Sequence, residues 1–351
     1  MVRGLCCIKF QVLEFQFGGV LMSPRIIFHG ENAASFSSDF ASLVQGGAEI
    51  VLLPDVLQTE DQRQAYQQAD VIVGVKFDAS LPTPERLQLF HVPGAGYDPV
   101  NLEMMPKTAT VCNCFGHDPA IAEYVFAAIL NRHVPLVAAD RRLRQGDWAY
   151  WSGSPDRLHD EMSGKTIGLL GFGHIGKAIA RRAKAFDMRV SVANRTRVDV
   201  SELVDESYSL EQLENFWPSA DFIIVSVPFT ASTQGIVGQS AFAAMKPSAV
   251  VMNVGRGPTI DEKALFDALS ERRIAGAVID TWYAYPGPGE PNRLPSALPF
   301  HELNNVVMTP HMSGWTSGTV RRRQQTIADN INRRLEGREC VNIIQRAQSE
   351  R

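Results

Sequence analysis

The clearest chemical signal in the sequence is a glycine-rich turn, Gly171-Phe172-Gly173-His174-Ile175-Gly176. It follows an apolar segment at 166–170 that predicts a β-strand, and it opens a predicted helix at 175–186. Gly171 permits the tight turn, Gly173 lets the backbone approach a pyrophosphate, and Gly176 lets the helix and the strand pack closely. Because a helix N-terminus adds free N–H groups and a positive dipole end, the turn predicts a dinucleotide site.

The end of the next predicted strand, 189–193, bears on which dinucleotide is bound. An acidic residue at this place would bind the ribose 2′-hydroxyl. The sequence instead has Asn194-Arg195-Thr196-Arg197, with two guanidiniums and no carboxylate. Guanidinium groups pair well with phosphate, so we expect NADP(H) to be preferred over NAD(H).

Two further residues with chemical potential follow predicted strands. Arg256 stands between glycines after the strand 250–254, and His311 follows the strand 306–309. Open α/β sheets bind ligands at the carboxyl ends of their strands, so both side chains are candidates for a ligand cleft. Arginine can hold a carboxylate and polarise a neighbouring carbonyl, and histidine exchanges protons near neutral pH.

The elements that must position these residues form two series of short apolar segments alternating with amphipathic ones. The first series predicts strands at 25–28, 49–53 and 71–75 and helices at 33–45 and 59–68. The second predicts strands at 166–170, 189–193, 222–227, 250–254 and 277–280, with helices at 175–186, 210–216, 239–245 and 262–271. Continuous β-branched strands with intervening helices are typical of buried parallel sheets, so the chain is expected to be α/β.

Two long helices bracket the second series. One is predicted at 119–146, with a kink at Pro135, and the other at 316–336, long enough to return to the first series. We therefore expect a substrate domain made of 23–118 plus 316–351 and a dinucleotide domain at 119–315, with 119–146 as hinge and dimerisation helix. Residues 1–22 are expected to form a disordered N-terminal extension.

Composition and charge narrow the class of protein. The chain has 351 residues, and 34 basic against 38 acidic residues give a net charge of −4, which argues against nucleic acid as a partner. None of the five cysteines has structural-zinc spacing, so no metal site is predicted, and free thiols favour a cytoplasmic location. No run of about 20 apolar residues predicts a membrane span. A small-molecule ligand is the expected partner.

The segment 165–314 resembles the cofactor half of the D-isomer-specific 2-hydroxyacid dehydrogenase family. The motifs that carry the resemblance are the glycine-rich turn, Val227-Pro228-Phe229-Thr230 with Thr233, Asn253–Gly257, Asp280 and Thr309-Pro310-His311. Val92–Asp98 and Ala122-Glu123-Tyr124 add a weaker similarity nearer the N-terminus. The resemblance implies two Rossmann-like or flavodoxin-like parallel-sheet domains with the active site in the cleft between them.

The resemblance also implies a role for each motif. Arg256 would anchor and polarise a 2-oxo acid, His311 would exchange the proton, and the nicotinamide would deliver or take the hydride. The substrate carboxylate would lie on backbone groups of Ala95 and Gly96, with His117 beside it. The residues expected to contact the dinucleotide are Gly171, Gly173, His174, Ile175, Gly176, Asn194, Arg195, Thr196, Arg197, Val227, Pro228, Thr233, Val254, Gly255, Arg256, Asp280, His311 and Gly314.

Two positions depart from the family pattern. The family usually has a glutamate five residues after the aspartate, paired with the histidine, whereas this sequence has Tyr285 there. Glu290, in the proline-rich loop that follows, is a candidate to replace it, and the sequence does not choose between Tyr285 and Glu290. The family commonly has asparagine where this chain has His117. A carboxylate raises the pKa of a neighbouring histidine more strongly than a neutral phenol does, so the first departure affects proton transfer.

The expected function is therefore NADP(H)-dependent conversion between a 2-oxo acid and a D-2-hydroxy acid. One alternative is oxidation of formate, because formate dehydrogenases also lack the glutamate and have a run similar to Asp280-Thr281-Trp282. The other is a non-catalytic, corepressor-like protein that binds NADP. A homodimer is also expected, and the aromatic cluster of Trp148, Tyr150 and Trp151 fits either a subunit contact or a substrate wall.

Overall fold

A computed structural model of the chain describes residues 23–153, 157–287 and 289–348. Its strands are β1 (Arg25–His29), β2 (Glu49–Leu53), β3 (Val71–Gly74), β4 (Leu89–His91), β5 (Thr110–Cys112), β6 (Thr166–Leu170), β7 (Arg189–Ala193), β8 (Glu206–Tyr208), β9 (Phe222–Val225), β10 (Val250–Asn253), β11 (Gly276–Ile279), β12 (Val306–Met308) and β13 (Ile343–Gln345). Its α-helices are α1 (Glu31–Ala34), α2 (Glu60–Gln67), α3 (Asp118–His133), α4 (Leu136–Leu143), α5 (His174–Ala185), α6 (Leu213–Phe216), α7 (Gln239–Ala244), α8 (Glu262–Ser270) and α9 (Ser317–Leu335). The predicted extension at 1–22 lies outside the described residues.

The strands form two separate sheets, in agreement with the expected α/β class. The first has the order β13-β5-β4-β3-β1-β2, and each of its pairs is parallel except that of β13 with β5. The second has the order β12-β11-β10-β9-β6-β7-β8 and is parallel throughout. Strands such as β3 and β9 are buried along their whole length, because helices cover both faces of a parallel sheet.

The second sheet reverses its strand order between the central strand β9 and its neighbour β6. The chain passes from β6 outward to β7 and β8, then returns through α6 to β9 and continues to β10, β11 and β12 on the other side. The loops at the carboxyl ends of β6 and β9 therefore lead away from each other and leave a crevice, the usual ligand position in such sheets.

The predicted helix at 119–146 consists of two helices instead of one. α3 ends at His133, α4 begins after Pro135, and their axes differ by 47°. Proline has no N–H to donate and its ring clashes with the preceding turn, which explains why the kink expected at Pro135 becomes a break. In the described part of the chain, no single helix has the length and apolar character to cross a membrane, although α3 and α4 would meet these criteria as a bent pair.

The C-terminal helix α9 returns to the first sheet, as its length predicted. The Gln324 side-chain amide donates to the carbonyls of Phe36 and Ser38 at 3.1 and 3.0 Å. Deeper in the helix, the buried Asn330 amide lies 3.0 Å from Nε2 of His91 on β4. These contacts and the strand β13 attach the end of the chain to the first sheet.

Several predicted elements have other limits or forms. The helix predicted at 33–45 is only α1 followed by a 3-10 turn at Phe40–Leu43, with Asp39 in the left-handed region at φ +55°. The stretch 210–216 is α6 with 3-10 turns on both sides. The strands β4, β5, β8 and β13 were not predicted, because three residues give only a weak periodic signal. β12 has the same length and was predicted at 306–309.

Candidate active site

The glycine-rich turn has the geometry of a phosphate cradle. Gly171 has a φ of +101°, which favours glycine, and a Cβ on Gly176 would overlap the carbonyl oxygen of Gly171. A Cβ on Gly173 would have no neighbour within 4 Å among the described residues, so the backbone is open on that side. Gly173 caps α5, and no side chain caps its first N–H groups. These features fit the pyrophosphate of a dinucleotide.

The segment after β7 is joined to this cradle by Asn194. The Asn194 side chain accepts the backbone N–H of Phe172 at 3.2 Å and donates to the carbonyl of Thr196 at 2.8 Å. Arg195 and Arg197 are exposed, and Arg197 lies 3.6 Å from Asp199 in a loose surface pair. Asn194 therefore holds the loop against the cradle, and Arg195, the next residue, is exposed.

The loop after β9 lies against the other side of the turn. Thr233 is buried, and its hydroxyl donates to the carbonyl of Pro228 at 2.7 Å while accepting the N–H of Thr230 at 2.8 Å. A Cβ on Gly171 would come within 3.1 Å of the Val227 side chain. Val227, Pro228 and Thr233 are thus part of one fixed loop beside the cradle.

Arg256 is presented by a tightly hydrogen-bonded turn after β10. The buried side chain of Asn253 accepts the N–H of Gly255 at 3.1 Å and donates to the carbonyl of Arg256 at 3.0 Å. The hydroxyl of Thr259 donates to the same carbonyl at 2.6 Å. A backbone fixed in this way limits where the guanidinium can go, which is useful for a group that must orient a ligand.

The Arg256 side chain reaches across to a loop of the first sheet. Its Nε and Nη2 each lie 3.5 Å from Oδ2 of Asp98, and a Cβ on Gly96 would overlap the guanidinium. The loop itself is fixed by the Asn113 amide, which donates to the carbonyl of Ala95 at 2.7 Å. Ala95 and Gly96 therefore face Arg256 across the cleft between the two sheets.

His311 lies in a strained turn that Asp280 holds together. The residue has a φ of +58°, an uncommon value for a non-glycine residue. Asp280 is fully buried, and its carboxylate accepts the Thr309 hydroxyl at 2.6 Å, the Met312 N–H at 2.8 Å and the Ser313 N–H at 2.9 Å. These hydrogen bonds hold residues before and after His311, which explains how the strained backbone is maintained.

The partner of His311 is Tyr285. The Tyr285 hydroxyl lies 2.9 Å from Nδ1 of His311 and accepts the backbone N–H of Trp282 at 3.1 Å. The carboxylate of Glu290, the other candidate, lies 3.3 Å from Arg293 of the same proline-rich loop. Burial lowers the pKa of His311, with Asp280 opposing and Arg256 and Arg323 adding to the shift.

His117 and Arg323 lie in the same cleft. Burial lowers the pKa of His117 to about 4, and the charges of Arg323 and Arg256 add to this shift while Asp118 opposes it. Nδ1 of His117 is buried without a hydrogen-bond partner among the described residues. The sequence reasoning missed Arg323, and its only signal is the arginine run 321–323 soon after His311.

The other predicted dinucleotide residues lie around these loops. His174 stacks on Phe115 of the first-sheet unit, with ring centroids 4.6 Å apart. Val254 is buried under the Arg256 turn, and Ile175 is half-buried in the first turn of α5. Gly314 packs closely against His117, since a Cβ there would lie 3.3 Å from that of His117.

The chain is similar to known proteins in sequence and in fold. Residues 126–313 match the family model for the D-isomer specific 2-hydroxyacid dehydrogenase NAD binding domain. The glyoxylate reductase of Pyrococcus furiosus is 35% identical over 220 residues, covering 60% of this chain and 61% of the relative. Glyoxylate/hydroxypyruvate reductase B of Enterobacter sp. is 30% identical over 271 residues, covering 75% and 81%.

A solved structure shares the architecture of both sheets. The NADPH-dependent glyoxylate/hydroxypyruvate reductase of Sinorhizobium meliloti, in complex with NADP and malonate, is 28% identical with a TM-score of 0.72. The likeness covers 92% of this chain and 97% of that one.

The chain belongs to the D-isomer-specific 2-hydroxyacid dehydrogenase family. It is an oxidoreductase of that class with a nicotinamide-dinucleotide domain, and its two parallel-sheet domains are those of the family. Hydride transfer between a nicotinamide cofactor and a 2-oxo acid/2-hydroxy acid pair is the corresponding chemistry.

Proposed function

We propose that this protein catalyses the NADP(H)-dependent reduction of a 2-oxo acid to a D-2-hydroxy acid, or its reverse. The observation that carries the proposal is the meeting of three parts at one cleft: Arg256, the loop at Ala95–Gly96 and the His311–Tyr285 pair. The names of the relatives, glyoxylate and hydroxypyruvate reductases, support small 2-oxo acids as the first substrates to test.

In this proposal, Arg256 and the first-sheet loop bind the carboxylate. Backbone groups of Ala95 and Gly96 hold one side, and the guanidinium leaves Asp98 to pair with the substrate. A guanidinium next to the 2-oxo group also stabilises negative charge that develops on its oxygen. Arg256 is therefore both an anchor and an electrostatic catalyst.

His311 exchanges the proton in this proposal. Nδ1 is held by Tyr285, so Nε2 is the nitrogen left for the substrate. In the reductive direction, bound NADPH would supply the hydride to C2 and leave as NADP⁺, and Nε2 of His311 would supply the proton to the carbonyl oxygen. Tyr285 acts as a positioning residue, because its hydroxyl fixes the imidazole ring without supplying a formal negative charge.

The cofactor is proposed to be NADP(H), with its pyrophosphate on the cradle at 171–176 and its 2′-phosphate near Arg195 and Arg197. The absence of a carboxylate between 194 and 197 supports this choice. The Sinorhizobium relative is described as NADPH-dependent, which supports it further. A contact of Asp280 with the nicotinamide is also proposed. The Asp280 carboxylate already accepts three hydrogen bonds from the His311 turn.

The domain limits and the assembly are also proposed. The contacts of α9 and β13 with the first sheet support a substrate domain of 23–118 plus 316–351, and the packing of α3 on α5 supports a dinucleotide domain of 119–315. We propose a homodimer through α4, whose outward side chains are largely apolar. A cytoplasmic location stays a prediction.

Substitution of Arg256 tests the activity. We expect Arg256→Ala to lower kcat/KM for reduction of glyoxylate and hydroxypyruvate by roughly 10²–10³-fold, because it removes both the anchor and the charge on the oxygen. NADPH consumption measures turnover, and quenching of protein fluorescence measures NADPH binding. Retained binding with lost turnover supports the assignment, and unchanged turnover would remove Arg256 from the mechanism.

A second candidate is oxidation of formate. The observation that favours it is the phenol beside His311, because formate oxidation releases a hydride without a proton that must be exchanged. Incubation with formate and either NAD⁺ or NADP⁺ tests it by the appearance of reduced cofactor. Reduction of 2-oxo acids without any formate oxidation would exclude this candidate.

A further inference from the structure

Arg323 is a second guanidinium in the cleft, on the second turn of α9. Its Nε donates to the carbonyl of Phe115 at 3.4 Å, and Nη1 lies 4.0 Å from the position of a Cβ on Gly94. Gly94 lies two residues before Gly96, the glycine beside the Arg256 guanidinium. The two guanidiniums therefore approach the same loop, at Gly94 and Gly96, whose Cα atoms are at most about 7 Å apart.

The charge of Arg323 has no acidic counterpart in the part of the chain that the structure describes. Burial lowers the pKa of its guanidinium, and the ionisable groups that act on it are the Cys114 thiol and the neighbouring Arg322. By contrast, Arg256 lies beside Asp98, and Arg333 further along α9 pairs with Asp329 at 2.7 Å. Partly desolvated charges are normally paired, so an unpaired one in a ligand cleft indicates an anionic ligand.

His117 supplies a further polar group at this place. Its buried Nδ1 has no hydrogen-bond partner among the described residues, although buried imidazole nitrogens usually have one. The acidic group that acts on His117 is Asp118 at the start of α3. The Arg323 side of the cleft thus offers a positive charge and an unused ring nitrogen.

We propose that the preferred substrate is a 2-oxo acid whose side chain ends in a second carboxylate. The carboxylate next to the carbonyl lies at Ala95–Gly96 and Arg256, and the second one pairs with Arg323 and accepts a hydrogen bond from His117. The short distance between the two guanidiniums suits a short dicarboxylic 2-oxo acid. This inference rests on the proposed function and makes Arg323 a specificity-determining residue.

Substrate pairs that differ only in the second carboxylate test the inference. Oxaloacetate is compared with 2-oxobutyrate, and 2-oxoglutarate with 2-oxopentanoate, using NADPH and the full-length protein. We expect kcat/KM for the dicarboxylic member to be at least about tenfold higher, mainly through a lower KM, because a charge-assisted pair with arginine forms only there. 3-Phosphohydroxypyruvate shows whether phosphate can take the place of the second carboxylate.

Arg323→Met keeps the length of the side chain and removes its charge. We expect it to lower the ratio of kcat/KM for the dicarboxylic member to that for its monocarboxylic partner by roughly 10–100-fold. The ratio is the measurement, because loss of the Arg323 charge also acts on His311 and so changes turnover of both substrate classes. Arg322→Met is the matched control: the adjacent guanidinium is exposed, and its Nε donates to the carbonyl of Gly116 at 2.7 Å. Arg323→Lys restores a charge and should recover part of the preference.

Each outcome either supports or overturns the role of Arg323 in binding the second carboxylate. An equal loss with both substrate classes would make Arg323 a structural residue and overturn the inference, as would a wild-type preference for monocarboxylic substrates. If no 2-oxo acid is reduced, the proposed function fails, and calorimetric titration of oxaloacetate into the NADP⁺ complex then tests this inference alone. Binding that Arg323→Met abolishes and Arg322→Met retains would support the anion site, and absence of binding would overturn it.

Discussion

The residue beside His311, the imidazole proposed to exchange the proton, distinguishes this chain from the usual pattern of its family. A phenol at Nδ1 of His311 gives no negative charge to stabilise the protonated ring, and burial, Arg256 and Arg323 all lower its pKa. Asp280 opposes the shift, but its carboxylate is engaged by the turn that carries His311. The protonated form needed for reduction should therefore exist mainly at acidic pH.

The pH profile of reduction should show this directly. Protonated His311 donates the proton, so kcat/KM should be highest at low pH and fall as the pH rises through the lowered pKa. We expect the fall to occur below the pH at which an exposed imidazole titrates. Initial rates between acidic and neutral pH, with enzyme stability checked at each pH, measure it. A fall only above neutral pH would contradict the lowered pKa.

Changing Tyr285 should move that profile. Tyr285→Glu puts a carboxylate near His311, raises the pKa of the imidazole and shifts the falling limb to higher pH, by about one unit or more. Tyr285→Phe removes the hydrogen bond without adding charge. It should therefore lower kcat, while the fall of kcat/KM with rising pH stays at acidic pH. Identical profiles for the two variants would show that Tyr285 does not position His311.

Arg195 should determine the choice between the two dinucleotides. Arg195→Ala removes an exposed guanidinium from the segment after β7, where the 2′-phosphate that distinguishes NADPH from NADH is proposed to bind. We expect KM for NADPH to rise roughly tenfold and KM for NADH to stay within about twofold. Arg189→Ala, at the opposite end of β7, is the control. Equal effects on both cofactors would exclude the phosphate contact.

At the level of elements, the loops after the strands of the second sheet are held by buried side chains that belong to the sequence motifs, but whose supporting role the motifs did not reveal. Asn253 fixes the Arg256 turn, Thr233 fixes the loop after β9, and Asp280 fixes the His311 turn. Each satisfies backbone or hydroxyl groups that burial would otherwise leave unpaired. The site is therefore built on rigid supports instead of on mobile loops.

Asp280→Asn tests the support of the His311 turn. One amide group replaces a carboxylate oxygen, so at least one donor among Thr309, Met312 and Ser313 loses its acceptor. We expect a loss of about 1–3 kcal/mol in the free energy of unfolding of this domain and a lower kcat. Denaturant unfolding and steady-state rates measure the two effects. A variant as stable and as active as the wild type would show that the turn does not depend on Asp280.

The same elements show where sequence patterns are informative. The strands β6, β7, β9 and β10 and the helices α5, α8 and α9 lie within a few residues of their predicted positions, because long apolar runs and helical periods leave little choice. The helix predicted at 33–45 is wrong over most of its length, because packing of Phe36 and Phe40 into the core, and not helical propensity, decides that segment.

For the whole molecule, the surface around α4 is the main feature that the monomer leaves unexplained. Leu136 and Val137 are 71% and 63% exposed, and Trp148 and Trp151, a few residues further along the chain, are 66% and 61% exposed. Large exposed apolar side chains are typical of a subunit contact. They support the proposed homodimer, with α4 and the aromatic segment after it as its proposed contact.

Charge on this surface should dissociate the assembly. Leu136→Asp combined with Val137→Asp places carboxylates in the proposed contact, and light scattering after size-exclusion chromatography measures the mass. We expect wild type to be a dimer and the double variant to be largely monomeric at micromolar concentration. Val307→Asp, an exposed apolar position on β12, is the control. A monomeric wild type would contradict the proposal.

The amino-acid sequence alone was enough for the α/β class, the dinucleotide cradle and the candidates Arg256 and His311, because each depends on local spacing: glycines at a turn, or a polar residue directly after a buried strand. The tertiary structure alone placed Tyr285 and not Glu290 beside His311, and brought Arg323 to the loop that faces Arg256. Such contacts join residues far apart in the chain, and they depend on how a proline-rich loop and the C-terminal helix pack, which no local pattern encodes.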